Sequence, residues 1–550
     1  MFRRAALIRS SYSLASAALA GLLLVACGGG GEGETTQRGS ATSESKRAKL
    51  VTIAVPGDEG TLTPYTQNTG YPGANLVALV YDKLLELDEK NEPQPLLAKS
   101  IEASPDNTEF TLTLRGGVTW HDGKPFTADD VVFSAGYYRE HPVADSAPQL
   151  EAVKSVTPDG DKVTFTLNSA DPEFPKRLLA DMRIIPKHLW SSISDPETAT
   201  AEQAIGTGPY KLTSYKKDQG YELSANADYA MGKPKIDTVK VAIIPQPQTA
   251  LAGLRTGEVS IWSGSVPEEQ AAGLEKQRNV KVVRGPGFTS TLLAFNNQRA
   301  PFDNPKVRQA ISAAIDVDRL VKTVLQGRAA PGSAGFWHPD APGGQAVDHV
   351  YDAAQAKALL DEVGAKPGAG GIRTLAGKPM KFTLLVQSSS PQRIRAAELI
   401  RDMLKEVGIE VSVASMDGDS VDAKVWPGYD VARGRDYDLT MWGWSAPVML
   451  DTTSLGSLVD SDTKLGRLNI TGTKDAELDT LADQVREATT MDARFDLLGK
   501  LQQQIAEQKP FVTLYYPEGV YAYRQDVFDG WVYQDGAGVL NKMSYVDLVS

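Results

Sequence analysis

The chain has 550 residues, a formal charge of −12 and one cysteine. An acidic balance of this kind argues against a nucleic-acid partner, which needs a clustered basic surface, and a lone cysteine excludes an internal disulfide. A chain this long exceeds one hydrophobic core, so two or three domains are expected.

Residues 1–26 read as a targeting segment. Arg3, Arg4 and Arg9 form a basic start, and the apolar run from Leu14 to Ala26 is shorter than the roughly 20 residues that span a bilayer. Leu24, Val25, Ala26 and Cys27 have the form of a bacterial lipobox, which places Cys27 as the new N-terminus and as the site of a diacylglyceryl anchor. Removing the three arginines makes the mature chain more acidic still. Residues 27–48 hold almost no large apolar side chain and read as a flexible tether with a reach of about 25 Å.

The globular part opens with a strand over 50–55 and a loop over 56–71 rich in Gly, Thr and Pro. A loop after a first strand is a common place for a ligand to approach, so Tyr65 and Tyr71 are candidate contacts as well as candidate packing residues. Leu76, Leu79, Val80 and Leu84 predict a helix over 74–86. Phe110, Leu112 and Leu114 alternate with Thr111 and Thr113 as a strand; Gly116, Gly117 and His121 to Pro125 supply turns; Thr127 begins a helix as N-cap, with Asp130 in the capping-box position.

Farther on, Gly206 and Gly208 flank a tight turn before a hairpin of 210–215 and 221–225. No helix start follows, so these glycines are not a phosphate cradle. A strand over 236–244, a helix over 248–256 ended by Gly257, and a helix capped by Asn304 with Pro305 in its first position come next, and Asp316 caps a continuation to Gln326. Helix and strand alternate over 352–443, which predicts βα units around a mostly parallel sheet. Helices over 474–488 and 492–508 precede an apolar run at 511–516.

Several of these stretches together resemble family 5 extracytoplasmic solute-binding proteins, the peptide- and nickel-binding receptors of ABC importers. The resemblance is carried by Leu114-Arg115, His121-Asp122-Gly123 and Ala128 to Val131, by Gly206 to Lys211, by Asn296 with Pro301 and Phe302, and by Val307 to Ile311. It implies an α/β fold, two-lobed and periplasmic-binding-protein-like (type II, the large cluster with an extra subdomain), with mixed sheets flanked by helices and hinged by two crossing segments. Lobe I would be 49–291 with an inserted subdomain at about 72–204, lobe II 292–509, and 510–550 a return to lobe I. The function implied is capture of a solute, an oligopeptide by preference, and its delivery to permease subunits with a cytoplasmic ATPase. The receptor would be a monomer held outside the cytoplasm by Cys27, without a cofactor or a metal.

The resemblance places the ligand site around Asp438 to Pro447. Peptide receptors carry an aspartate three residues past the tryptophan, where it pairs with the ligand's amino terminus. Here Pro447 stands at that position, and Asp451 is the nearest substitute. Strand alternation puts Trp442 and Trp444 on one face and Met441 and Gly443 on the other. The candidate contacts are therefore Trp442, Trp444, Ser445, Asp451, Tyr65, Tyr71 and Asn296.

The alternative is a surface-anchored hydrolase using Ser445. Gly443 to Pro447 resembles a nucleophile elbow, but Pro447 replaces the last glycine and no capped helix is expected to follow. A P-loop at Gly377-Lys378 fails on Ile372 and Pro379, and the five histidines show no metal-ligand spacing.

Overall fold

The computed structural model describes residues 47–65, 71–142 and 147–548. Cys27 and nearly all of the tether lie outside the described residues.

Twelve strands form the main sheet: β1 (Ala48–Val55), β2 (Tyr210–Lys216), β3 (Gly220–Ala225), β4 (Ile236–Ile243), β5 (Ile261–Trp262), β6 (Val280–Pro286), β7 (Thr291–Phe295), β8 (Ala329–Pro331), β9 (Lys381–Gln387), β10 (Glu410–Met416), β11 (Leu439–Trp442) and β12 (Phe511–Arg524). Their order is β10-β9-β11-β7-β12-β5-β1-β4-β3-β2, and β6 and β8 also pair with β12, β8 across from β7 at Tyr515 and β6 across from β5 at Tyr523. The sheet is mixed: β9 is parallel to β10 and β11, and β1 to β4 and β5, while β7 and β5 run antiparallel to β12.

The buried apolar side chains gather into separate cores. The largest draws on residues from Ala48 to Ile261 and again from Tyr523 to Tyr545. Two others, on opposite faces of β7 and β11, draw on 288–516. β12 belongs to both groups. Its first part pairs with β7 and β8, its last part with β6 and β5. The change of partner falls at Pro517 to Gly519, where proline removes a ladder donor and a Cβ on Gly519 would come within 2.5 Å of the Tyr533 hydroxyl. The chain crosses a second time between β6 and β7, where a Cβ on Gly287 would come within 2.6 Å of the Pro517 carbonyl oxygen.

A four-stranded antiparallel sheet stands apart, in the order Ala98–Ala103, Glu109–Leu114, Lys162–Leu167, Val153–Asp159. The helix Ala128–Glu140 packs beside it, and its capping box of Thr127 and Asp130 is present. His121 ties this part to the Gly206–Gly208 turn: its backbone N–H donates to the Gly206 carbonyl at 2.9 Å, the Gly206 N–H donates to Nδ1 at 3.3 Å, and Nε2 lies 2.9 Å from the Gly208 carbonyl. That arrangement fixes a neutral imidazole with its proton on Nε2, and burial holds its pKa down at about 4.

Three expectations need correction. The helix expected over 74–86 runs Tyr71–Val80. The Gly208 N–H takes the Val80 carbonyl at 2.9 Å, and the Gly206–Gly208 turn packs so closely on Val80 that neither glycine has room for a Cβ. The continuation expected after Asp316 is a separate helix, Val317–Val324, with Asp316 accepting from the Arg319 N–H. The apolar run at 511–516 is only the first part of a 14-residue strand.

Candidate ligand-binding site

The strand registers fix where a site can form. β11 runs antiparallel to β7, with Trp442 opposite Leu292, and β7 runs antiparallel to β12, with Thr291 opposite Tyr515. The carboxyl ends of β9, β10 and β11 therefore point toward the middle of β12. From the other side Ile261 lies opposite Tyr523, so the carboxyl ends of β5, β1 and β4 point toward that same middle. Helices begin just past these ends, at Pro247, Glu268, Pro391, Gly418 and Ala446. Two sets of parallel strands thus present their carboxyl ends, the usual binding edge of α/β sheets, to one waist.

At the waist Trp442 and Trp444 lie on one face, each 8% exposed, with Met441 in the core behind. Their rings meet edge-on at 6.2 Å; Trp426 continues the row at 5.7 Å from Trp444, and Tyr429 ends it at 5.4 Å from Trp426 and 66% exposed. The indole N–H of Trp442 is buried without a hydrogen-bond acceptor. This is an apolar wall with an unused donor, open toward solvent at Tyr429.

Ser445 is exposed and stands at the N-cap of a one-turn helix, Ala446–Leu450. A one-turn helix does follow Ser445, begun by extended backbone there and by Pro447 near its start, but it carries no side-chain cap. The Ser445 hydroxyl makes no cap hydrogen bond. Asp451 ends the same turn. Its carboxylate accepts from the Thr453 hydroxyl at 2.7 Å and pairs with Arg177 Nε at 3.6 Å.

Arg177 comes from the π-helical turn Pro175–Leu179, on the far side of the interface between cores. It opens a cluster that nothing in the sequence pattern announces. Arg177 also meets Asp171 at 3.1 Å. From the opposite side Arg494, 1% exposed, reaches Asp171 at 3.1 Å and Glu173 at 3.2 Å, and the Thr452 hydroxyl donates to Glu173. Burial and the neighbouring Asp451 charge push the Glu173 carboxyl up, against the pull of Thr452 and Arg494. Burial alone would raise Asp451 too, but Arg177 and Thr453 hold it below the usual range.

The other candidates lie elsewhere. Tyr65 donates to the His141 carbonyl at 2.7 Å and packs among Tyr137, Tyr138 and Trp190. Tyr71 begins the helix Tyr71–Val80, and its side chain lies outside the described residues. Asn296 is 3% exposed, follows the end of β7 remote from the waist, and donates to the Tyr437 carbonyl at 3.0 Å. The structure therefore brings Trp442, Trp444, Ser445 and Asp451 together, and leaves Tyr65 and Asn296 in packing and turn roles away from them. Among the described residues no group of three or more His, Cys, Asp or Glu side chains could hold a metal ion.

Such an arrangement, two groups of strands facing across a waist with two chain crossings, defines a solute-binding protein of the periplasmic type. The chain belongs to the bacterial extracellular solute-binding proteins, family 5, whose middle-region model matches residues 92–465. It is 29% identical over 536 residues to the oligopeptide-binding protein AppA of Bacillus subtilis, covering 94% of this chain and 95% of AppA. The structure of AppA in complex with a nonapeptide matches with a TM-score of 0.71 at 26% identity, covering 92% of this chain and 100% of that one. NikZ of Campylobacter jejuni, in complex with Ni(L-His), shares the fold: its TM-score is 0.74 at 24% identity, with 90% and 99% covered. The chain is accordingly a substrate-binding receptor of the ABC-importer class, and its relatives are binding proteins. Among the described residues no helix is long and apolar enough to cross a membrane.

Proposed function

We propose that this protein is a lipid-anchored, monomeric receptor that closes two lobes on an oligopeptide and hands it unaltered to an ABC permease driven by a cytoplasmic ATPase. The observation that carries the reading is the convergence of both sets of strand ends on the middle of β12. The separate cores support lobes at 49–291, with its insertion at about 72–204, and 292–509, with 510–550 returning to the first. The crossings at β12 and between β6 and β7 are the hinge, and closure about few residues is an established transition. The oligopeptide is favoured by the likeness to AppA. Trp442 and Trp444 form the wall for its side chains, with Ser445 at the rim.

Hydrolysis at Ser445 has no support in the geometry. Each described histidine has its partners elsewhere: His121 at Gly208, His141 against the Tyr137 ring, His188 at Asp122, His338 between Phe288 and Tyr516, His349 at the Ile315 carbonyl.

The test is to express the full chain in a bacterial host, wild type and Cys27→Ser, and to identify by mass spectrometry what co-purifies. Peptides on the wild-type protein, and its release from membranes by Cys27→Ser, are the expected results. A non-peptide solute overturns the ligand class, and unchanged membrane fractionation of Cys27→Ser overturns the anchor.

A further inference from the structure

One contact between the cores is made by backbone and not by charge. The chain from Gln534 to Gly538 is a closed turn: the Gln534 N–H donates to the Gly538 carbonyl and the Gly538 N–H donates back to the Gln534 carbonyl, both at 2.9 Å. Gly536 at its tip and Gly538 have φ of 78° and 77°, a left-handed backbone that glycine adopts at no steric cost. The turn leads directly into Val539 and Leu540 of the largest core.

The turn is held from two directions. From the hairpin of Leu85–Leu87 with Pro93–Pro95, the Glu89 carbonyl accepts from the Asp535 N–H at 3.0 Å, Lys90 pairs with the Asp535 carboxylate at 2.8 Å, and the Asn91 amide donates to the Asp535 carbonyl at 2.9 Å. From the hinge, the Pro286 carbonyl accepts from the Gly536 N–H at 3.0 Å and from the Tyr533 hydroxyl at 3.1 Å. Pro286 ends β6, where the chain leaves for β7. The Tyr533 ring lies over the paired glycines Gly285 and Gly519, and a Cβ on Gly285 would come within 2.4 Å of it.

Held in this way, the tip meets the helix that follows the tryptophan strand. A Cβ on Gly536 would lie 2.8 Å from the Ala446 Cβ and 3.4 Å from both Leu450 Cδ1 and Phe288 Cβ. Ala446 is fully buried and begins the one-turn helix that has Ser445 at its N-cap and Asp451 at its end. The bare backbone of Gly536 is therefore itself in contact with that helix. Other ties across the waist run through long side chains: Arg395 reaches Glu269 at 2.9 Å, and Arg177 reaches Asp451 at 3.6 Å. Pairs of this kind re-form over a range of separations, because other staggered rotamers take up the change. A backbone resting on a methyl group allows no closer approach, since packed interiors are close to incompressible.

We propose that the Gln534–Gly538 turn is a strut, with Gly536 as its point of contact, that stops the second lobe at a set distance and so fixes the width of the closed cleft at Trp444 and Ser445. The inference rests on the two-lobe reading above and adds what limits closure. Gly536 is a positioning residue: it acts on the solute through the helix that it supports.

The experiment adds one methyl group to this contact and then takes one away. The full-length wild type, Gly536→Ala, and Gly536→Ala combined with Ala446→Gly are purified, and small-angle scattering is recorded on each with the solute it captured in the host. Affinity is read by calorimetry with the best binder from a library of short random peptides, and stability by urea unfolding. Gly536→Ala should show a larger radius of gyration and bind about fivefold or more weakly. The double variant should return to the wild-type radius and to within about twofold of its affinity. Its unfolding midpoint should stay at or below that of Gly536→Ala, because alanine at a left-handed position is strained in both. If Gly536→Ala does not accumulate, Ala446→Val enlarges the contact from the other side without that strain and should open the lobes alike. A wild-type radius in Gly536→Ala or in Ala446→Val overturns the strut. A double variant as open as Gly536→Ala also overturns it, because the opening then comes from backbone strain and not from the contact. Failure of the wild type to take up any peptide overturns the peptide reading alone, since the scattering comparison still decides the strut.

Discussion

Two buried ionic clusters of similar size hold this molecule together, and they are built differently. In the first, Lys542 from the C-terminal segment reaches Asp82 and, at 3.6 Å, Glu86, while Lys83 pairs with Glu86 at 2.7 Å. Asp82 also accepts from the hydroxyls of Thr207 and Tyr229, each at 3.0 Å. Two carboxylates meet two ammonium groups, and the surrounding apolar side chains belong to the largest core, with Tyr229 in a small core beside it. Burial alone would raise the Glu86 carboxyl, yet Lys83 and Lys542 hold it below the usual range. In the second cluster three carboxylates, Asp171, Glu173 and Asp451, meet two guanidinium groups, Arg177 and Arg494. Its members are shared between the core that contains Phe174 and the one that contains Leu498. A balanced cluster inside one core is a clamp. A cluster whose contacting groups include one carboxylate more than guanidinium groups, with Lys176 and Arg467 acting on it from farther off, and set between two cores, is a clasp whose charge depends on a proton.

The largest effect should come from the clamp. Lys542→Met leaves two buried carboxylates short of a cation, with no route to water short of unfolding that half, so it should destabilise by about 3–5 kcal/mol in urea or thermal unfolding. A loss under about 1 kcal/mol would mean that the cluster is not desolvated as described. Arg494→Met is the matching change in the clasp. Here the cores can part and let Asp171 and Glu173 hydrate, so the stability loss should be smaller, about 1–3 kcal/mol. It should come with an increase in the radius of gyration of the ligand-free protein by small-angle scattering. Equal losses in both variants, with no change in scattering, would put the two clusters in the same rigid body and remove the distinction.

The clamp and clasp also mark where reading the sequence stops. Features set by neighbours along the chain were legible: the capping box at Thr127 and Asp130, the Asn304 cap ahead of Pro305, and the shared face of Trp442 and Trp444. Each follows from helix or strand period acting over a few residues. The helix end at Val80 was not legible, because it is set by a turn more than a hundred residues later. The clasp was not legible either: Glu173 and Arg494 are 321 residues apart, and nothing in either local pattern marks a partner. Asp451 could be singled out by its distance from the tryptophans, but its pairing with Arg177 depends on how two cores meet.

The smallest effect concerns the excess carboxylate, and its sign can be worked out. Glu173 has a raised pKa in the folded protein because burial and Asp451 oppose its charge. Between the ordinary glutamate value of about 4.3 and that raised value, the native state binds more protons than the unfolded one. Stability from this group is therefore fully present below about pH 4.3 and is lost as pH rises through the native-state value. Asp451, lowered by Arg177, works in a separate window, losing its contribution only as pH falls below the ordinary aspartate range of about 3.9. His121 overlaps with the Glu173 window but has the opposite slope: its pKa is held at about 4 by burial, so its contribution is lost as pH falls from about 6.5. The raw pH profile mixes these slopes, and the informative curve is the difference between wild type and Glu173→Gln. The amide cannot ionise and resembles the protonated acid, so the variant should match the wild type near pH 4 and become the more stable of the two as pH rises, by a few tenths to about 1 kcal/mol. Scattering should show the variant staying compact at neutral pH under conditions where the wild type opens. A flat difference curve would mean that Glu173 titrates alike in the folded and unfolded chain, Arg494 with Thr452 fully balancing its burial, which would make the clasp as permanent as the clamp.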